Sequence, residues 1–355
     1  MYKIRRSRLD RFFNEYKVEA ILFSNLLNIR YLSGFSGSEG ALLVTPENCW
    51  LLCDSRYTIQ ARLETVDTDV IQFSEKKNSL ASLIEDQKLK NLGFEAAHTT
   101  VAAYREFAAC IKGCELVAIG DSLDQIRSVK DPDEISKLSA VASLASAALQ
   151  SILGVIKPGV SEAFVARELE FEMLRNGAQG RAFDFIVASG IRGALPHGRA
   201  SEKLISNNEL VTIDFGAVLN GYFSDETVTV AIGKPDEQLF TIYSVVKDAH
   251  DLAIEAVRPG ITCAELDKVA REHIRSSGFG EYFGHGLGHG VGLEIHEKPV
   301  VSPRSNLILE EGMVFTIEPG VYIPELGGVR IEDTVVVTKE GCRILTQIPK
   351  GLIYL

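Results

Sequence analysis

The sequence predicts a two-domain α/β (α+β) chain: an N-terminal layer domain, then a larger domain built by internal duplication. Three observations carry this. A length of 355 residues is enough for two hydrophobic cores. Residues 1 to 125 alternate between helical and strand patterns, as an α/β layer domain does. Further on, Ile156-Lys157-Pro158-Gly159-Val160-Ser161-Glu162-Ala163 recurs as Val257-Arg258-Pro259-Gly260-Ile261-Thr262-Cys263-Ala264.

In the first domain, helical periodicity runs near residues 5–16, 55–64, 78–87 and 100–112. Short apolar strands fall near 18–24, 40–45, 49–53, 69–73, 91–95 and 114–119. The run Asp54-Ser55-Arg56-Tyr57 reads as a helix start, with Asp54 or Ser55 as its cap. Lys3, Arg5, Arg6, Arg8 and Arg11 read as one solvated helix face. Asp121 to Asp133 is charged and contains Pro132, which sets the domains at 1–125 and 126–355. Asp131 or Asp133 then opens a long helix to about Ile156. In both copies of the repeat a long helix meets Pro-Gly, and Ser161 or Thr262 caps the next helix. Two copies about 100 residues apart mark a duplicated half-domain and not a solenoid.

Each half closes on apolar strands that carry carboxylates. Leu210-Val211-Thr212-Ile213-Asp214-Phe215-Gly216 is answered by Val314-Phe315-Thr316-Ile317-Glu318-Pro319-Gly320. Ser224-Asp225-Glu226-Thr227 is answered by Ile331-Glu332-Asp333-Thr334. Asn220-Gly221 is a hairpin signal that sets Asp214 and Asp225 opposite or diagonal across a ladder. The turn-rich Pro324 to Gly328 does the same for Glu318 and Glu332. An ionised carboxylate on so apolar a strand is costly without a counter-charge or a metal. One alone reads as an edge or turn residue; four in two matched pairs, brought to one point by facing half-domains, read as a ligand set.

Between the pairs lies Gly284-His285-Gly286-Leu287-Gly288-His289-Gly290-Val291-Gly292-Leu293-Glu294-Ile295-His296. Alternating glycines exclude a helix, since each costs about 1 kcal/mol in a helix interior. The segment reads instead as extended backbone approached closely by other backbone, with His285 and His289 on one face. A further histidine, His197, lies in a Gly/Pro loop just before the first ligand strand. His98, His250 and His273 sit in ordinary polar or helical contexts and read as surface residues.

A net charge of −11 argues against a nucleic-acid surface. The basic N-terminus is followed by Leu9-Asp10-Arg11-Phe12-Phe13-Asn14-Glu15, which is no signal-peptide core. Ala140 to Ile156 is apolar but interrupted by Ser143, Ser146, Gln150 and Ser151, short of a membrane span. Six cysteines without a secretory signal read as reduced thiols in a cytoplasmic protein.

Four carboxylates with an imidazole make an oxygen-rich set that suits Mn²⁺ first, then Co²⁺, Fe²⁺ or Zn²⁺. Two divalent ions balance four carboxylates, and ~3.5–4 Å is the usual spacing in paired-metal hydrolases. A water bridging both ions would become the nucleophile, a ligating carboxylate its base, and the remaining histidines donors to the oxyanion and leaving group.

Pro-His-Gly, two aspartates eleven apart, His-Gly-x-Gly-His with a later His-Glu, Glu-Pro-Gly and Gly-x-Arg-x-Glu follow in that order. Together they resemble the pita-bread metallopeptidases, specifically the proline-specific subgroup of aminopeptidase P and Xaa-Pro dipeptidase. Residues 1–125, with Asn28-Ile29-Arg30-Tyr31-Leu32 and Asp54 to Tyr57, are similar to the creatinase-type N-terminal domain. The resemblance implies a pita-bread domain with a pseudo-two-fold repeat. It implies five metal ligands, Asp214, Asp225, His289, Glu318 and Glu332, with Glu318 as base. It implies that His197, His285 and His296 contact substrate and the reacting peptide, with Arg330 behind the metals and Tyr322 nearby. It also implies a homodimer whose N-terminal domain walls the active-site entrance, and peptide substrates with proline second.

Methionine aminopeptidase shares the ligands but normally lacks this first domain and tends to carry Gln where Arg330 stands. Non-hydrolytic relatives have lost ligands that this chain keeps. Some Xaa-Pro dipeptidases carry an arginine four residues after the position of His296, to hold the dipeptide carboxylate; here Val300 stands there, with Arg304 the nearest alternative. The expectation is therefore an Xaa-Pro aminopeptidase, with an Xaa-Pro dipeptidase as the alternative.

Overall fold

The computed structural model describes residues 1–355, apart from the side chain of Asp121. The chain divides into two compact units, Met1–Arg127 and Ser128–Leu355.

In the first unit six strands form one sheet, in the order Asp69–Gln72, Cys49–Cys53, Ala41–Val44, Ala20–Phe23, Asn91–Glu95, Glu115–Ile119. Pairing is antiparallel at Ala20–Phe23/Ala41–Val44 and at Ala41–Val44/Cys49–Cys53, and parallel elsewhere. The central strands are uninterrupted apolar runs because both faces are covered. The structure adds a helix the sequence reading lacks, Leu26–Ser33, capped by Asn25 and ended by Gly34 at φ 91. It also corrects the basic cluster. Arg5 is buried and donates to Tyr31 O, Arg6 donates to Leu32 O, and Arg8 to Tyr31 Oη and Ile126 O. These arginines pin the first helix to the unit and are not one solvated face.

The second unit repeats the same plan twice. Helices Pro132–Ile152 and Glu162–Arg175 accompany a sheet ordered Ile353–Tyr354, Glu226–Ile232, Glu209–Phe215, Ile186–Ser189. Helices Glu237–Ala256 and Cys263–Ser276 accompany one ordered Glu297–Val301, Gly288–Gly290, Val314–Ile317, Asp333–Val337, Cys342–Ile344. The duplication reaches single hydrogen bonds. Gly159 N donates to Ile205 O and Gly260 N to Leu309 O, each at 2.9 Å. Ala163 N donates to Ser201 O at 2.8 Å and Ala264 N to Ser305 O at 2.9 Å. Both Pro-Gly turns need positive φ, 87 at Gly159 and 90 at Gly260, which glycine adopts without steric cost.

Helix Pro132–Ile152 opens with a capping box between Asp131 and Glu134. With the turn that follows, Pro132–Val155 passes the length and composition test for a bilayer span, a test that a buried core helix also passes. Its apolar character has a use within the unit, since Leu138, Val141, Ala142, Ala145, Leu149 and Ile152 are buried.

Candidate metal centre and substrate cavity

The two ladders bring the paired carboxylates together. Asp214 pairs across its ladder with Thr227, so Asp225, two residues back on the same face, is its diagonal neighbour. Asn220 and Gly221, at φ 51 and 71, make the hairpin that allows this. In the second half Ile317 pairs with Asp333, which carries Glu318 and Glu332 to the end of that ladder. Glu332 N then donates to Thr227 O at 3.0 Å, joining the halves.

His289 enters between them. Its Nδ1 donates to Gly290 O at 3.1 Å, leaving Nε2 3.5 Å from Asp225 Oδ2 and 3.4 Å from Glu318 Oε1. Ligand atoms of Asp225, His289 and Glu332 all lie within 4.8 Å of one another. The alternating glycines make this approach feasible. A β-carbon at Gly288 would stand 1.9 Å from Thr316 O, and one at Gly290 2.2 Å from Lys298 O.

The electrostatics point to cations. Burial pushes Asp225 and Glu332 well above the usual carboxylate range, and the neighbouring carboxylates push them further. Glu318 is pushed up to about 8, by burial first, with Asp214 adding and Arg330 opposing. Burial and the neighbouring His296 hold His289 down to about 4, so it is neutral and able to ligate. Asp214 Oδ2 accepts from Arg330 Nη2 at 2.6 Å, while its Oδ1 is buried without a hydrogen-bond partner among the described residues. An orphaned carboxylate oxygen beside three carboxyls with raised pKa values fits a divalent-ion site, because bound cations would satisfy the first and favour the ionised form of the others.

Arg330 is a buried hub, donating also to Tyr322 Oη at 2.9 Å, Pro196 O at 3.1 Å and Thr227 Oγ1 at 3.2 Å. His285 is held on the other side of Tyr322. Its Nδ1 donates to Gly286 O at 2.8 Å, so Nε2, 3.0 Å from Tyr322 Oη, is the acceptor of that hydroxyl. Burial holds His285 down to about 4. His296 is exposed to the cavity, its ring centroid 4.3 Å from that of His289, and burial of part of the ring lowers its pKa. His197 is exposed on the loop after Ile186–Ser189.

All ten of these residues (Asp214, Asp225, Glu318, Glu332, His289, His197, His285, His296, Tyr322 and Arg330) line one cavity of about 900 Å³. Phe183, Asp184, Arg199, Tyr282 and Val300 share its wall.

Several supports escape sequence reading. Thr227 donates to Glu332 Oε2 at 2.6 Å and Thr316 to Glu318 Oε1 at 3.3 Å, orienting two candidate ligands. Asp267 accepts from Leu287 N and from Arg271, whose Nη2 donates to His285 O at 2.7 Å, fixing the start of the histidine segment. The only local hints were Thr227 and Thr316 on the same strand faces as Asp225 and Glu318. His250, read as a surface residue, is buried with Nδ1 3.1 Å from Asp251 and Nε2 3.1 Å from Asp333. Burial alone would lower its pKa, but the two aspartates hold it above the ordinary value.

The model of the metallopeptidase family M24 matches residues 136–339, which contain all of these candidate ligands, and the Creatinase/Prolidase N-terminal domain model matches residues 5–129. The chain belongs to the M24 metallopeptidases. It is similar to another M24 protein, a Xaa-Pro dipeptidase of Pyrococcus furiosus, with 38% identity over 99% of this chain and 100% of that one. A solved Xaa-Pro dipeptidase from Bacillus anthracis superposes with a TM-score of 0.97 at 41% identity, covering 100% of both chains. An X-Pro aminopeptidase from Thermotoga maritima superposes with a TM-score of 0.91 at 38% identity, covering 99% of this chain and 100% of that one. As an M24 member the protein is a metal-dependent peptidase with the pita-bread fold, and its family implies divalent ions in the site described above.

Proposed function

We propose that this peptidase is an Xaa-Pro dipeptidase, working with two divalent ions, Mn²⁺ first, in a cytoplasmic homodimer. The observation that carries the catalytic reading is the carboxylate floor around His289, with its raised carboxyl pKa values and the orphaned Asp214 oxygen. The names of relatives covering the full chain support the dipeptide substrate.

Asp214, Asp225, His289, Glu318 and Glu332 are the residues to hold the ions. Divalent ions, when bound, polarise the scissile carbonyl and acidify water at neutral pH. The chain's own groups do the rest. Glu318 accepts a proton from the attacking water and returns it to the proline nitrogen, which has no N–H in the peptide and leaves as a secondary amine. His197 and His296, both facing the cavity, donate to the carbonyl oxygen as charge develops on it. Arg330 fixes Asp214 and Tyr322, and His285 fixes Tyr322 from the opposite side.

An Xaa-Pro aminopeptidase, the first expectation from sequence, becomes the second reading, and Val300 is the observation that favours it. That side chain is on the cavity wall and offers a dipeptide carboxylate no charge. The test is hydrolysis of Ala-Pro, Ala-Pro-Ala and Met-Ala-Ser before and after chelation and Mn²⁺ restoration. Activity on Met-Ala-Ser alone contradicts both proline readings.

A further inference from the structure

A dipeptide differs from a longer peptide in one feature a site can read: its proline carries a free carboxylate. Val300 supplies no charge for it, and Arg330 has its donors committed to Thr227, Pro196, Tyr322 and Asp214. Among the described residues the other arginine lining the cavity is Arg199, two residues beyond His197, and no lysine lines it.

Backbone and side chain of Arg199 are treated differently. Its carbonyl accepts from Arg192 Nη2 at 2.8 Å, and Arg192 is paired with the buried carboxylate of Glu162. Glu162 also accepts from Ser189 N and Oγ, each at 2.8 Å, and from Ser201 Oγ at 2.7 Å. One carboxylate therefore ties down the start, middle and end of the loop, and Arg199 stands on a fixed base. Its side chain is 76% exposed and pairs with Asp184 Oδ2 at 2.9 Å. Asp184 has a second partner, Arg181 Nη2 on Oδ1 at 2.6 Å. Turning Arg199 toward a substrate thus leaves no carboxylate unpaired.

We propose that Arg199 determines specificity by holding the free carboxylate of an Xaa-Pro dipeptide in the cavity shared with His197. A guanidinium suits this task, because its planar fork meets a carboxylate with two parallel hydrogen bonds. The inference rests on the Xaa-Pro reading above.

The experiment compares wild type, Arg199→Met and Arg199→Lys, full-length and Mn²⁺-loaded, on Ala-Pro and Ala-Pro-NH₂. Arg199→Met should lower the ratio of kcat/KM for the acid over the amide by about tenfold or more, mainly through KM, with lysine intermediate. A readout independent of turnover is calorimetric titration of the metal-free protein with L-proline, whose binding Arg199→Met should weaken at least about fivefold. An unchanged acid-to-amide ratio, or unchanged proline binding, overturns the assignment. Failure of loaded wild type to cleave either substrate would instead overturn the Xaa-Pro reading, and the proline titration then decides on Arg199 by itself.

Discussion

Glu162→Gln is the most informative substitution outside the metal ligands. The Glu162 carboxylate is fully buried and accepts from Ser189 N and Oγ, Arg192 Nη1, and Ser201 N and Oγ. Glutamine removes the charge and presents an N–H₂ to groups that are themselves donors. Removing one partner of a buried ion pair costs about 3–5 kcal/mol. Arg192 is 23% exposed and can reach water. That places the loss near the lower end, ~3 kcal/mol. For a unit of this size each kcal/mol is about 2–4 °C, so calorimetry should show the transition of Ser128–Leu355 lowered by roughly 6–12 °C. The same loop carries His197, and an ångström of misplacement costs about 10²-fold in rate, so kcat on Ala-Pro should fall by that order. Metal content should stay at the wild-type level, because no ligand lies on the loop. A variant with wild-type Tm and kcat refutes the clamp; one that loses its metal refutes the separation of loop from ligands.

Three further outcomes follow from the same geometry. His289→Ala should lose metal and activity together, whereas His285→Ala and His296→Ala should keep the metal and lose about 10²-fold in kcat, as metal analysis beside kinetics would show. The metal-free protein should lose stability between pH 6.5 and 8. Raised carboxyl pKa values stabilise the fold only while the groups stay protonated, and Glu318 gives up its proton near 8. His285 and His289, held down to about 4, add stability only as pH rises through their ordinary value of 6.5, and above it they leave the window to the carboxylates. Thermal melts should therefore fall across the window and be restored by Mn²⁺; a flat profile contradicts the reading. Sedimentation at micromolar concentration should give a homodimer, against which a purely monomeric boundary would count.

What could be read from sequence was whatever repeats or alternates locally. The Pro-Gly repeats, the Asn220-Gly221 hairpin and the glycine-spaced histidines each announce their backbone over a few residues, and the structure realises all of them. What stayed hidden depends on pairs far apart in the chain. His250 looks like an ordinary helical residue until Asp333 is placed 3.1 Å away. Arg5, Arg6 and Arg8 look solvated until the helix Leu26–Ser33 supplies carbonyls for them. That helix was itself obscured, because its cap Asn25 and terminator Gly34 flank a mixed run with no clear period. Glu162 reads as a helix-start glutamate, and its hold on Ser189 and Ser201 spans 27 and 39 residues. Val300 was legible as a departure, but the alternative cation at Arg199 needed the cavity wall to be seen.

The central claim is that this metal centre removes one residue from in front of proline and prefers a substrate that ends there. The most direct measurement is kcat/KM for Ala-Pro beside Ala-Pro-Ala, on one preparation with two Mn²⁺ per chain by metal analysis. The account predicts rapid cleavage of Ala-Pro and a clearly lower value for the tripeptide. Equal or faster cleavage of Ala-Pro-Ala would contradict it and make the protein an Xaa-Pro aminopeptidase.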